Sequence, residues 1–136
     1  MFLAPALLLL LFSKTGFGCI ATKNTPGPVA PTKCNQCGDN IRKHETPEDG
    51  VPRKAIERDE RRQGADGCNR RVIGCDGVPN AQDLFLQWNL MEAGTTRVEG
   101  QFDRVDQELE CDAQGRWTIL REKEKIPITD VECMSV

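Results

Sequence analysis

Six cysteines limit what this chain can fold into more than any other feature. They read Cys34-x-x-Cys37, thirty residues, Cys68, six residues, Cys75, thirty-five residues, Cys111, twenty-one residues and Cys133. In an oxidising compartment such a set is a disulfide framework; in a reducing one it is a metal or redox site. The compartment therefore decides the reading.

The N-terminus points to export. Phe2 to Phe12 form an apolar run of eleven residues, FLAPALLLLLF, followed by Ser13, Lys14 and Thr15. That length suits the hydrophobic part of a signal peptide and falls short of the roughly 20 residues that span a bilayer. A buried core helix is the rival reading, and consecutive leucines without a polar face argue against it. Cleavage after Gly18 would leave seven cysteines, Cys19 included, whereas cleavage after Ala21 would leave six. Distance from the apolar run favours Gly18, and cysteine parity favours Ala21. No other stretch approaches spanning length, and the tail IPITDVECMSV lacks the hydrophobic run of a lipid-anchor signal. The expectation is a secreted, extracellular protein without a membrane span.

Removing Lys14 with the leader leaves 17 basic residues against 21 acidic ones. An acidic chain offers phosphate backbones little counterion release, so nucleic acid is set aside as a partner. Residues 19–33 include TKNTPGPVAPTK, which has too few apolar side chains to offset its ordering entropy and reads as a spacer. The division expected is a leader at 1–18 (or 1–21), a spacer at 19–33 and one cysteine-rich domain at 34–136.

Inside that domain the texture changes at Gly67. Before it lies a charged stretch, HETPEDGVPRKAIERDERRQGADG, whose Arg53–Gln63 part carries helix formers with opposite charges at helical spacing, Glu57 and Arg61 among them. A short exposed helix and a disordered loop are both compatible with it, and Glu45 to Ala65 is where a protease is expected to cut first. Its arginine pairs, Arg61-Arg62 and the later Arg70-Arg71, read as surface charge rather than processing sites. After Gly67 come short strand-like runs. Arg71–Cys75 closes at Asp76-Gly77, a turn signal. Leu84, Leu86, Trp88 and Leu90 share a face if their segment is a strand, while Leu84, Trp88 and Met91 align if it is a helix. Val98, Phe102, Val105, Leu109 and Cys111 follow, then Trp117–Leu120 and Ile126–Cys133, with Pro127 forcing an edge or a bulge. This spacing predicts a mainly β fold: a small, disulfide-stapled, antiparallel, sandwich-like domain with room for one short exposed helix.

Candidate chemistry meets plainer alternatives. Cys34-x-x-Cys37 lacks the βαβ context of a redox dithiol. Zinc would need a second close ligand pair, and the only histidine, His44, sits in a charged stretch that reads as an exposed loop. Asp103, Asp106, Glu108, Glu110 and Asp112 follow no calcium or glycosidase spacing and suggest a solvated strand face. Asn24-Thr25-Pro26 is no glycan acceptor, and none other is present. With few aromatic residues available, Trp88 and Trp117 are expected in the core. No catalytic, cofactor-binding or metal residues are expected.

Assembled, these residues resemble a known family. A leader, a Thr/Pro spacer, Cys34-x-x-Cys37, Gly67-Cys68, Cys75-x-Gly77, Cys111 followed by Gly115 and Trp117, and Ile128-x-x-Val131-x-Cys133 resemble the six-cysteine extracellular domains of unknown function abundant in nematode secreted proteins. That resemblance spans nearly all of the chain after the leader and implies three disulfides, an extracellular location and no activity. The Cys111, Gly115, Trp117 spacing is also similar to the second half of a complement-control (sushi) module. Fifteen pairings of six cysteines are open, and sequence does not choose among them. The function expected is a non-enzymatic module that binds an extracellular protein or glycan. The alternative is an inhibitor or defence effector presenting a constrained loop such as Val78–Gln82.

Overall fold

A computed structural model describes residues 33–48 and 50–136. The expected leader, its cleavage sites, Cys19 and all of the spacer but Lys33 lie outside the described residues. Ten strands and one single-turn 3-10 segment make up the fold. The strands are β1 (Arg42–His44), β2 (Arg53–Lys54), β3 (Arg58–Gln63), β4 (Asn69–Asp76), β5 (Leu84–Trp88), β6 (Thr95–Thr96), β7 (Arg104–Cys111), β8 (Trp117–Arg121), β9 (Glu124–Pro127) and β10 (Asp130–Ser135). They form two sheets. One has the order β1-β10-β5-β6, with β2 also on β10; the other has the order β3-β4-β7-β8-β9. Every pairing is antiparallel except β1 with β10.

Two-residue alternation selects the inner faces. Ile73 and Cys75 of β4, Val105, Leu109 and Cys111 of β7, and Trp117 and Ile119 of β8 are buried from one sheet; Leu84, Leu86 and Trp88 of β5, with Val131 and Cys133 of β10, are buried from the other. All belong to one core cluster. Leu90 does not extend the β5 face, because the chain leaves the sheet after Trp88. Pro127 sits in the edge strand β9, where its missing N–H breaks no ladder.

Two glycines explain local motifs. Gly77 passes so close to the Phe102 carbonyl that a β-carbon there would lie 1.8 Å from it. Gly115 takes φ +77° in the β7–β8 turn, a conformation that side chains resist.

The charged stretch forms neither a helix nor an irregular loop over Arg58–Gln63. It is the edge strand β3, in register with β4 from Arg58 opposite Gly74 to Gln63 opposite Asn69. Cross-strand pairs outweigh helix propensity: Arg58 reaches Asp106 and Asp76, and Arg62 reaches Glu108, each across the sheet. The single-turn 3-10 segment, Asn89–Met91, lies elsewhere. Lys33, placed in the spacer by sequence, already belongs to the domain, its N–H donating to the Ala113 carbonyl at 3.1 Å.

The position of β3 changes where a protease should cut. A glutamate-specific protease is expected to cleave after Glu45 or Glu48 well before Glu60, and trypsin to spare Arg61 and Arg62, since cleavage needs an open backbone. Fragment masses from a time course check this; a first cut within Arg58–Gln63 would contradict the hairpin.

Candidate functional site

All six cysteines of the domain are paired. Cys75 joins Cys133, linking the two sheets through the core; Cys37 joins Cys111 and Cys34 joins Cys68. Cys34 and Cys37 therefore bond to different partners rather than to each other, and they pin the segment before β1 across the second sheet. Further bonds hold that segment: Asn69 N–H donates to the Cys34 carbonyl at 2.8 Å, and Trp117 Nε1 donates to the Gly38 carbonyl at 2.8 Å. Both tryptophans are buried. Trp88 Nε1 donates to Thr96 Oγ1, which also accepts from Arg121 and donates to Gln107, each at 2.9 Å. One hydroxyl thus uses its full capacity to tie β6 of one sheet to β7 and β8 of the other. Among the described residues no cluster of three or more His, Cys, Asp or Glu could hold a metal ion.

Arg71 is fully buried on the inner side of β4, an unusual place for a guanidinium. It donates from Nε and Nη2 to Asp59 at 2.7 Å each, and from Nη2 to Asp39 at 2.8 Å, with its guanidinium 5.7 Å from the centre of the Trp117 ring. Burial alone would push the Asp59 carboxyl up, but the hydrogen bonds from Arg71 and Lys43 outweigh it and bring its pKa down to about 2. This is a structural ion cluster, and it corrects the expectation that Arg70-Arg71 is surface charge, since Arg71 is fully buried.

His44 lies on β1 rather than in an exposed loop, half-buried, with Nε2 2.8 Å from Asp130 Oδ1. The Thr129 hydroxyl first and His44 second hold the Asp130 carboxyl below its usual range. Of the expected acidic strand face, Asp106, Glu108 and Glu110 stand on β7 and pair with Arg58, Arg62 and Lys125. Asp112 differs: it is turned into the β7–β8 turn, Oδ1 accepting from the Gln114 and Arg116 N–H groups at 2.9 Å each.

Two features at the rim of the core expose apolar side chains beside a concavity. At one end Val78, Val98 and Phe102 are exposed beside a concavity of about 680 Å³ that Val98, Phe102, Arg97 and Asp83 help to line. The candidate loop Val78–Gln82 lies there, but it folds on itself: Ala81 N–H donates to the Val78 carbonyl at 3.0 Å, and Gln82 N–H to the Val136 carbonyl at 2.5 Å.

The second feature is the turn after β5. Asn89, Leu90 and Met91 take φ of 50°, 53° and 82°, three left-handed residues in succession without a glycine. Each such position costs about 1–2 kcal/mol for a residue with a β-carbon. The Asn89 side chain holds the turn in place, Nδ2 donating to the Pro127 carbonyl at 2.8 Å and Oδ1 accepting from the Thr129 N–H at 2.9 Å. The side chains displayed are Leu90, 56% exposed, and Met91, 57% exposed. Beside the turn, Ala93, Gly94, Thr95, Arg121, Glu122, Glu124 and Ile126 line a second concavity of about 520 Å³. Its other wall is the β8–β9 hairpin, whose tip residues Glu122 and Lys123 also have positive φ, 46° and 78°. Five of the six non-glycine residues with positive φ among those described thus gather in this one region. Arg121 Nε is buried there without an acceptor. Sequence reading missed this site; Asn89, a residue type tolerant of left-handed backbone, is the one signal there that points to it.

No family model matches the chain, and no curated protein or solved structure shows significant similarity to it.

The Arg71 cluster yields a pH prediction. Because the Asp59 pKa is lowered on folding, its contribution is complete above the unfolded value of about 3.8 and is lost as pH falls through about 2. Asp59→Asn should cost about 3 kcal/mol at pH 7, since it strips a buried guanidinium of its main partner. Urea unfolding from pH 7 to 2 should show the variant losing less than the parent between pH 4 and 2; equal slopes would remove Asp59 from the account.

Proposed function

We propose that this chain is a secreted, non-enzymatic extracellular module that binds a protein partner through the Asn89–Gly94 turn. The observation that carries the reading is the turn itself. A backbone in an unfavourable conformation, clamped by an asparagine side chain, holds two large apolar side chains in water on a crosslinked frame. Strain that persists in this way marks places kept for contact. Export is supported by the three disulfides, which form and persist in oxidising compartments, by the apolar run Phe2–Phe12 and by the resemblance to six-cysteine extracellular domains. The non-enzymatic reading is supported by how the reactive groups are occupied: the domain's cysteines in disulfides, His44 against Asp130, Arg71 against Asp59. The inhibitor alternative draws less support, because the exposed Val78–Gln82 segment is closed into a turn by the Ala81 N–H bond to the Val78 carbonyl, whereas proteases take extended loops.

Strain and contact can be separated by experiment. Replacing Leu90 and Met91 together with glycine should raise the unfolding free energy by about 1 kcal/mol, as left-handed positions favour glycine. The same change should abolish photo-crosslinking from a probe at position 92 to proteins of the extracellular fluid. Higher stability with crosslinking unchanged would move the contact away from this turn, and lower stability would deny the strain.

A further inference from the structure

We infer that the partner surface received by this turn is a cationic protein segment with an apolar side chain at its centre. The inference rests on the binding reading and adds the chemistry of what is bound. Three carboxylates lie on the same rim as the exposed pair Leu90 and Met91: Glu92 follows them directly, and Glu122 and Glu124 line the adjoining concavity. All three are exposed, and none has a hydrogen bond or ion pair. This sets them apart from the acids of β7, which are matched to arginines and a lysine across the second sheet.

The cations nearby offset them only in part. Lys123 stands at the hairpin tip, outside the concavity lining. Arg121 lines the concavity, half-buried, its Nη2 held by the Thr95 carbonyl and Thr96 Oγ1 at 2.9 Å each. Arg42 and His44 are both directed at Asp130. Glu92, Glu122 and Glu124 outnumber Lys123 and Arg121, so the rim beside the apolar pair carries an excess of negative charge. Like charges opposed across an interface cost affinity, so a second copy of this acidic chain, meeting the same glutamates, is a poor occupant.

Backbone pairing does not supply an alternative mode of docking here. On the free edge of β9, Pro127 has no N–H and its carbonyl is taken by Asn89; β6 has two residues, and its Thr95 carbonyl is taken by Arg121. A strand added at either edge would find few groups to pair with. Recognition falls to side chains: Leu90 and Met91 against an apolar centre, and the glutamates against lysine or arginine at its margin. Met91 suits such a contact, being flexible and polarizable.

The probe is a random dodecapeptide phage library panned on the disulfide-bonded protein. Enriched peptides should combine lysine or arginine with a central apolar residue. A synthetic copy of one should lose measurable binding to the Leu90→Ser/Met91→Ser variant. It should bind about tenfold more weakly to the Glu92→Gln/Glu122→Gln/Glu124→Gln variant, the sum of three modest surface charge contacts. Raising ionic strength from about 0.1 M to about 1 M, which shortens the screening length from about 10 Å to about 3 Å, should have a similar effect. Neutral or acidic peptides that still need Leu90 and Met91 would overturn the cationic partner and leave the binding reading standing. Peptides indifferent to Leu90 and Met91 would overturn the site. No enrichment at all would overturn both, and a concentration-dependent dimer abolished by Leu90→Ser/Met91→Ser would make the occupant a second copy.

Discussion

The bond between Cys75 and Cys133 joins the central regions of two sheets that otherwise meet through a modest apolar layer. Cys75 ends the buried run of β4, and Cys133 lies midway along β10, the strand that pairs with β1, β2 and β5. Crosslinking residues 58 positions apart removes about 4 kcal/mol of denatured-chain entropy in the standard account. A small domain has a net stability of about 5 to 15 kcal/mol, so one such bond is a large share of it. The other two bridges act on the same principle, closing separations of 74 and 34 residues. They fasten the segment before β1 over the second sheet, where Asp39 and the Gly38 carbonyl complete the Arg71 and Trp117 environments.

A frame held by covalent bonds tolerates local strain that a marginal core would not. Three consecutive left-handed residues at Asn89–Met91 and two more at Glu122–Lys123 together cost several kcal/mol. They sit next in sequence to Trp88 and Arg121, whose hydrogen bonds to Thr96 hold β5 to β6 and link β6 to β8 of the other sheet. Stability is concentrated at one level of the structure and strain at another, and the exposed apolar pair lies on the strained one.

Much of the architecture was legible in the sequence because it depends on period and punctuation. Leu84, Leu86 and Trp88 offered a strand face that periodicity left open against a helix, and Pro127 offered an edge or a bulge; the structure takes the strand and the edge. Arg58–Gln63 was misread because its side chains satisfy helical and cross-strand pairing equally well on paper, and only the position of β4 chooses between them. Arg71 was misread for the same reason: its burial depends on Asp59 and Asp39, which the fold alone brings to it. The Leu90–Met91 turn left almost no trace, since neither residue type favours positive φ. The cysteine pairing was beyond reach in principle, as fifteen connectivities satisfy the same spacing.

Connectivity is also where the account is most directly exposed. Digestion of the non-reduced protein at acidic pH, which suppresses thiol exchange, followed by mass spectrometry of the linked peptides, reads it without further assumption. The account requires three linked pairs, Cys34 with Cys68, Cys37 with Cys111 and Cys75 with Cys133. A bond between Cys34 and Cys37, or Cys75 linked to anything but Cys133, would contradict the sheet arrangement on which the strained turn and its proposed partner depend.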